Sequence, residues 1–472
     1  MFLQNVAVED YAAEGKSLGR QDGKVVFIEG AVPGDVVDVQ LSKNKKDWAT
    51  GKAIRFHAYA PDRTKPFCEH FGICGGCKWQ MLPYEKQLQY KQEEVEQNLR
   101  RISKVPLPPL SPILGALPSR YYRNKLEFTF SNRRYLRPEE ISSDQPIPQQ
   151  EALGFHAPGI FDKAIDIYTC HLMQEPVNLI RNSVRDFALQ HNYPFYDIKA
   201  HTGWLRTMIV RICTTGEIMV NMVLAYEDKA QTARLLDHLL LQVPSITSLL
   251  YTINPKWNDS IYDLHPQVYR GREWIEEKIE DFRFKISPKS FFQTNTYQAE
   301  NLYRTVRDFA ALTGRETVYD LYCGTGSIGI FVSRGAAKII GVELVEDAIS
   351  DARENARLNK IEHALFFTGD AAQLCTPEFF AAHGRPDVII TDPPRAGMDE
   401  RLVKKLLEIG APRVVYVSCN AATQARDLAL LDEKYTVTRV QPVDMFPHTH
   451  HIENVVQLSL KHLPAAGATS QL

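Results

Sequence analysis

The chain has 472 residues, a formal net charge of −2 and 44% apolar side chains. At roughly 150 residues per domain, that is two to four domains with ample material for buried cores. No apolar run approaches the about 18 residues of a membrane span. The start, MFLQNVAVEDYAAEG, lacks the basic-then-apolar pattern of a secretory leader. The expectation is a cytoplasmic protein without membrane association. Near-zero net charge argues against a uniformly basic nucleic-acid binder but leaves room for a local basic groove.

In chain order, residues 1–57 predict a small β-barrel: VVFIEG, DVVDVQL and GKAIRF are β-branched runs broken by Gly or Pro-Gly. LSKNKKDWATGK, with four lysines, suits a hairpin tip or a phosphate-contacting loop. YEKQLQYKQEEVEQNLRRI predicts a helix, with Leu88, Val95, Leu99 and Ile102 at helical spacings. SKVPLPPLSPILGALPS is a proline-rich linker. Residues from about 120 to 285 read as a mainly β or α+β domain, with RPEEISSDQPIPQQ as an exposed loop and a hairpin turn at Thr215-Gly216. After about residue 286, strands alternate with helices, which predicts a doubly wound α/β domain with a mostly parallel sheet. PAAGATSQL reads as a loose tail.

Asp320 and Cys323-Gly324-Thr325-Gly326 fall where a strand becomes a helix, so the backbone there can approach a ligand closely. Glu343 ends the second strand about 20 residues on, the position of a ribose-binding carboxylate. Asp370 follows the third strand, as an adenine contact or a helix cap, and Asp392 ends the fourth in DPPRAG. Two further acids suit the ammonium and adenine groups of S-adenosyl-L-methionine (SAM) better than a diphosphate. Gln293, Tyr322, Gly324, Glu343, Asp370 and Asp392 are the candidate cofactor contacts.

Cys419 directly follows the strand VVYV, beside Ser418 and Asn420. A purely structural thiol would sit more naturally within that strand. Its position suits addition to carbon 6 of a uracil, which makes carbon 5 nucleophilic toward a methyl donor. Such chemistry needs a base for the C5 proton; Glu453, just before the last strand, is the candidate, and Asp392 could orient it. The target must be flipped or unpaired, as RNA loops supply cheaply. RYYRNKLEFTFSNRRYLR carries six Arg/Lys, one Glu and several aromatics, which suits an RNA surface or an ordinary basic hairpin. Arg133, Arg134 and Phe291 are the candidate substrate contacts.

Cys68, Cys74 and Cys77 form a C-x5-C-x2-C cluster, with Cys170 the best fourth ligand. Four thiolates can hold zinc or an iron–sulfur cluster.

These motifs together resemble the RNA uracil-5-methyltransferase family, especially its bacterial 23S rRNA members. The shared features are C68-x5-C74-GG-C77-x-W-Q with Cys170, FFQTN, DLYCGTGSIG, GVEL, DPPRAG, SCN-x-x-T-x-x-RD and the final H-IE, in that order. Thr325 and Ser327 flanking Gly326 are small departures. The resemblance implies an N-terminal TRAM barrel (1–57), a central iron–sulfur and RNA-binding α+β domain (58–84 and 118–285), and a Rossmann-like SAM-dependent methyltransferase domain (85–117 and 286–462). It implies Cys419 as nucleophile and Glu453 as base, and a [4Fe-4S] cluster on the four cysteines. It further implies 23S rRNA as substrate, with tRNA as the alternative and no obligate protein partner. A nitrogen methyltransferase would need no thiol, a radical-SAM enzyme would use C-x3-C-x2-C, and a non-catalytic RNA binder would leave Cys419, Asp392 and Glu453 without purpose.

Overall fold

The expected N-terminal β module closes on itself. In the computed structural model, which describes residues 1–143 and 149–461, strands β1 (Phe2–Tyr11), β2 (Ser17–Gln21), β3 (Lys24–Glu29), β4 (Val36–Asn44) and β5 (Trp48–Ala58) form a closed barrel in the order β1-β2-β3-β5-β4. The PAAGATSQL tail and part of the RPEEISSDQPIPQQ loop lie outside the described residues. Strand alternation sends Val6, Val8, Val26, Ile28, Val37 and Val39 inward. The lysine-bearing stretch makes the β4–β5 hairpin.

The barrel rests on the segment that follows it and on a distant one. Trp79 Nε1 donates to the Gly15 carbonyl (3.2 Å), while the backbone N–H groups of Lys78 and Trp79 donate to the His448 carbonyl at 2.8 and 3.1 Å. A Cβ on Gly15 would lie 2.8 Å from that of His450.

The predicted helix forms over Tyr84–Asn98, but its buried face differs from the apolar spacing. Ile102 is exposed, and Gln87 and Lys91 are buried with Val95 and Leu99. Polar partners on the 444–448 segment explain this. Lys91 Nζ meets Asp444 Oδ1 at 2.6 Å, Tyr84 donates its hydroxyl to Asp444 Oδ2 at 2.7 Å, and Gln87 Oε1 accepts from the His448 N–H at 2.8 Å. Both members of the Lys91–Asp444 pair are fully buried. Removing one partner of such a pair leaves an uncompensated charge. Asp444→Asn is therefore expected to cost on the order of 3–5 kcal/mol in denaturant unfolding, with Lys91→Met in the same chain recovering part of the loss.

The middle of the chain forms a seven-stranded sheet: β6 (Lys125–Ser131), β7 (Ala152–Ala157), β8 (Ile160–Asp166), β9 (Leu205–Ile212), β10 (Ile218–Leu224), β11 (Ser248–Ile253) and β12 (Gln267–Gly271), in the order β12-β11-β10-β9-β6-β7-β8. One face, with Leu126, Phe128, Met208, Val210, Val220 and Met222, packs beneath the helices Val177–Gln190 and Lys229–Gln242. The other face carries Lys125, Glu127, Thr129, Thr207 and Arg211, as period-two alternation requires. A hairpin, β13 (Ile275–Ile279) and β14 (Phe282–Ile286), leads to the last domain.

There β15 (Thr317–Leu321), β16 (Lys338–Glu343), β17 (Ala364–Thr368), β18 (Val388–Thr391), β19 (Arg413–Ser418), β20 (Tyr435–Val443) and β21 (Glu453–Leu460) form a sheet in the order β17-β16-β15-β18-β19-β21-β20. The strands through β19 pair parallel, and β21 inserts antiparallel between β19 and β20. Both faces are buried: Val318, Ile339, Ile390 and Val415 point to one core, and Tyr319, Ile340, Ile389 and Val414 to the other. This is a Rossmann-like α/β core, preceded by a small β-barrel. Among the described residues no helix is long and apolar enough to cross a membrane.

Candidate active site

Open parallel sheets bind ligands at the carboxyl ends of their strands, where the strand order reverses. Here that point lies between β15 and β18. The chain leaves β15 through left-handed backbone at Tyr322 (φ 61°), Gly324 (φ 53°) and Gly326 (φ 76°). Around Gly326 there is no room for a side chain, because a Cβ would sit 2.9 Å from the Phe366 ring; at Gly324 a Cβ would meet no described atom within 4 Å. The loop therefore packs on one side and leaves backbone open on the other.

Carboxylates fix this loop. Glu343 Oε2 accepts from the Gly324 N–H (3.2 Å), and Oε1 from those of Leu344 and Val345 (2.7 and 3.1 Å). A carboxylate has about four acceptor sites, so Glu343 keeps capacity for a ribose hydroxyl. Asp320 is buried beneath the loop and accepts from the Gly329 N–H at 2.8 Å. Burial, reinforced by the charges of Asp392 and Glu343, pushes its carboxyl up to about 7. Asp370 caps the short helix Ala371–Leu374, accepting from the Ala372 N–H at 2.9 Å, and its other oxygen lies 3.6 Å from Arg401. The capping role is thus present, and half-buried Tyr322 feels the Asp370 charge. An open glycine turn beside a ribose-type acid, with further acids along the strand ends, fits SAM.

The second half of the site lies across the sheet edge. β19 ends at Ser418, whose partner on β21 is Asn454; Cys419 and Glu453 are the next residue on each side of that pair, and the Cys419 thiol feels the Glu453 charge. Asn420 then caps the helix Ala421–Leu431, accepting from Ala422 and Thr423. Cys419 is half-buried, and its thiol is pushed up to about 11 by burial and by the charges of Glu453 and Asp392, opposed by Arg395. Glu453 is 6% exposed. Burial, then the Asp392 charge, raises it well above the ordinary carboxylate range, and Arg395 again opposes the shift. Burial raises Asp392 as well. A buried Glu453 that feels the charge of a half-buried Asp392 retains a proton that exposed carboxyls would lose.

Arg395 was not among the expected site residues, nor was His451, whose Nδ1 lies 2.9 Å from Arg395 Nη2. The Arg of DPPRAG was a visible signal for the first; nothing local marked the second. Asn124 was also missed. Its side chain donates to the Gln293 carbonyl (2.9 Å) and to Thr296 Oγ1 (2.8 Å), and its N–H to the Thr294 carbonyl (2.8 Å), tying FFQTN to the central sheet. Within that motif Phe292 is buried, Gln293 half-buried and Phe291 70% exposed.

Arg133 and Arg134 are not brought to this site by their contacts. Arg133 lies 3.7 Å from Asp162 and 3.5 Å from Asp197, and Arg134 pairs with Glu140 at 2.8 Å, all within the central domain.

The cysteine expectation needs correction. Cys68, Cys74, Cys77 and Cys170 line one cavity of about 210 Å³ with Leu126, Phe155 and Ile167, and all four are free. Among the described residues no group of three or more His, Cys, Asp or Glu side chains is arranged to hold a metal ion. Thiolate is the metal-binding form, whereas burial pushes Cys74 up to about 11 and Cys77 to about 12 and raises Cys68 and Cys170 too. The expected [4Fe-4S] cofactor, and the identification with cluster-bearing 23S rRNA enzymes that leaned on it, are not supported.

Comparison with known proteins agrees with the rest. A family model described as tRNA (Uracil-5-)-methyltransferase matches residues 267–461, and the TRAM domain model matches residues 3–54. The chain is 52% identical to an RNA methyltransferase of Bacteroides thetaiotaomicron, over 95% of this chain and 100% of the relative. It is 50% identical to one of Porphyromonas gingivalis, over 96% of this chain and 98% of the relative. Among solved structures, the Pyrococcus abyssi tRNA (uracil-54, C5)-methyltransferase in complex with S-adenosyl-L-homocysteine is similar over 96% of this chain and 100% of its own. That match has a TM-score of 0.75 and 27% identity. Fold, family models and full-length relatives converge, and the chain belongs to the SAM-dependent RNA (uracil-C5) methyltransferase family with an N-terminal TRAM domain.

Proposed function

We propose that this enzyme methylates carbon 5 of a uracil in tRNA, with Cys419 as nucleophile and Glu453 as base. The observation that supports the chemistry is the nearness of Cys419, just past the end of β19, to the buried Glu453 at the start of β21, whose charge its thiol feels. The Pyrococcus abyssi enzyme, whose name gives a tRNA uracil as its target, supports the choice of RNA. The 23S rRNA expectation has lost the cluster that favoured it.

In this reading Cys419 Sγ bonds to C6 and the electron pair of the C5–C6 double bond moves toward C5. SAM, when bound, would supply the electrophilic methyl group to which that electron pair of C5 forms its new bond, the S–CH3 bond breaking with S-adenosylhomocysteine as the leaving group. Glu453 then takes the C5 proton, the double bond re-forms, and the C6–S bond breaks to return the thiolate. Gln293, Tyr322, Gly324, Glu343, Asp370 and Asp392 are the proposed cofactor contacts, and Phe291 a base contact. Arg133 and Arg134 are proposed to meet RNA at the central sheet.

We also propose the division into 1–57, 58–84 with 118–285, and 85–117 with 286–462, the last residue of which is not described. Val95 and Leu99 support it, since they share an apolar cluster with Tyr319, Leu321 and Ile340.

RNA from a strain deleted for this gene, incubated with the protein and SAM and digested for mass spectrometry, tests the proposal. New 5-methyluridine in tRNA is the expected result. Methylation confined to 23S rRNA overturns the substrate, and no 5-methyluridine in either overturns the reaction.

The acid–base assignment carries its own pH dependence. The thiol of Cys419 is raised and must lose its proton before methyl transfer, so single-turnover methyl transfer is expected to rise with pH; the carboxyl of Glu453, also raised, acts after that step, so product release is expected to rise with pH as well. Arg395 lowers both groups. Arg395→Ala should move that rise to higher pH, and a rise that stays in place or moves down counts against the assignment.

A further inference from the structure

A second cavity, of about 450 Å³, opens on the polar face of the central sheet. That is within the range of sites that take small ligands, about 300–1,000 Å³. Its floor is β6 and β9, where Lys125, Glu127, Thr129 and Thr207 project from one face. Its wall is the loop carrying Asp259 and Tyr262, and Lys289 closes one end.

The wall is held from beneath. Buried Arg206 donates to the carbonyls of Asn254 (2.8 Å) and Asn258 (2.9 Å), and also to Asp259 Oδ1 (2.8 Å). Lys289 Nζ donates to the Tyr262 carbonyl at 2.9 Å. The cavity therefore does not depend on a loosely placed loop.

The lining carries Lys125 and Lys289 beside Glu127 and Asp259; Asp259 is engaged by Arg206 and Lys289 lies 3.5 Å from Asp347, so it is Arg211, a further cation next to the floor, that points to an anion. Lys125 is the cross-strand partner of Arg211, so two cations stand side by side on one face. Like charges placed this way destabilise a sheet. Glu127 pairs with Lys125. Arg211 is 3% exposed and gives one hydrogen bond, to the Ser290 carbonyl at 2.6 Å; its Nε has no partner among the described residues. His156 Nδ1, on a residue lining the cavity, is likewise buried without a partner among the described residues.

The place of the cavity points to RNA. Lys289 and Ser290 lead straight into Phe291, and Ser290 Oγ bonds Asp351 of the helix that follows Glu343 (2.6 Å). Tyr262 and Phe291 are both 70% exposed, as aromatic faces available for stacking.

We propose that this cavity is a subsite for one unpaired nucleotide of the substrate RNA flanking the target uracil, its phosphate held by Lys125 and Lys289 and its base stacked on Tyr262. The inference rests on the RNA-methylation reading and adds a second point of recognition to it.

The probe is a set of stem-loop transcripts spanning the methylated uridine, each with one flanking nucleotide made abasic, and binding to the full-length protein is read by filter retention. One abasic position is expected to weaken binding by the wild type on the order of tenfold. In Tyr262→Ala, binding of the intact transcript should be weakened to a similar degree, and that same abasic change should cost little more; in Lys289→Ala, which loses a phosphate contact that the abasic transcript keeps, intact and abasic transcripts should be weakened alike. S-adenosylhomocysteine affinity should stay at the wild-type value, which excludes a folding defect. Additive effects of Tyr262→Ala with every abasic change, or an undiminished affinity of Lys289→Ala for the intact transcript, overturn the subsite. Covalent capture of a 5-fluorouridine transcript by the wild type is scored separately and tests the parent chemistry alone.

Discussion

Cys419→Ser is expected to lower single-turnover methyl transfer by about 10⁴-fold or more, the scale on which loss of a covalent nucleophile is felt. S-adenosylhomocysteine binding should be unchanged. The expectation follows from electronic demand. Carbon 5 of uracil does not attack a methyl group until something adds at carbon 6, and a serine hydroxyl is a far weaker nucleophile than a thiolate. The geometry isolates the effect, because Cys419 sits in the turn between β19 and the Asn420-capped helix, whereas the cofactor loop is anchored by Glu343 and Asp320. Retained activity would move the enzyme to direct transfer, the chemistry of nitrogen methyltransferases. Rapid quench with radiolabelled SAM measures it.

Glu453→Gln should behave differently. Addition to C6 and methyl transfer precede removal of the C5 proton, so the variant is expected to accumulate a methylated RNA–protein adduct while turnover falls about 10²–10⁴-fold. Glutamine keeps the shape of a side chain that is only 6% exposed, which limits structural damage. The substitution also removes the charge that repels Asp392, so Asp392 should ionise at lower pH in the variant and supply residual base. A denaturing gel and the intact mass of the adduct read the result. Normal turnover without any adduct sinks the assignment.

Much of this arrangement was legible from residue types. The barrel followed from β-branched runs punctuated by turns, and the cofactor loop from glycines between strand and helix. Cys419 stood out because it follows its strand instead of lying within it. What was not legible came from distant partners. Nothing near Lys91 announces Asp444, so the apolar spacing of the helix Tyr84–Asn98 marks Val95 and Leu99 but not the buried Gln87 and Lys91. The acids that Arg133 faces, Asp162 and Asp197, likewise come from distant segments. The cysteines misled for a related reason. Their spacing speaks of ligand number, while the apolar walls that favour neutral thiols come from β6, β7 and the chain after β8.

The contact between the barrel and the stretch before Glu453 bears on how such enzymes diversify. Gly15 and Trp79 meet His448 and His450, a few residues ahead of the proposed base. The barrel is therefore not an interchangeable attachment. A graft that exchanged it for another RNA-binding module, in a laboratory or in evolution, would have to rebuild the footing of the chain that carries Glu453. New RNA targets are more readily acquired by altering surface residues of the existing barrel than by replacing it.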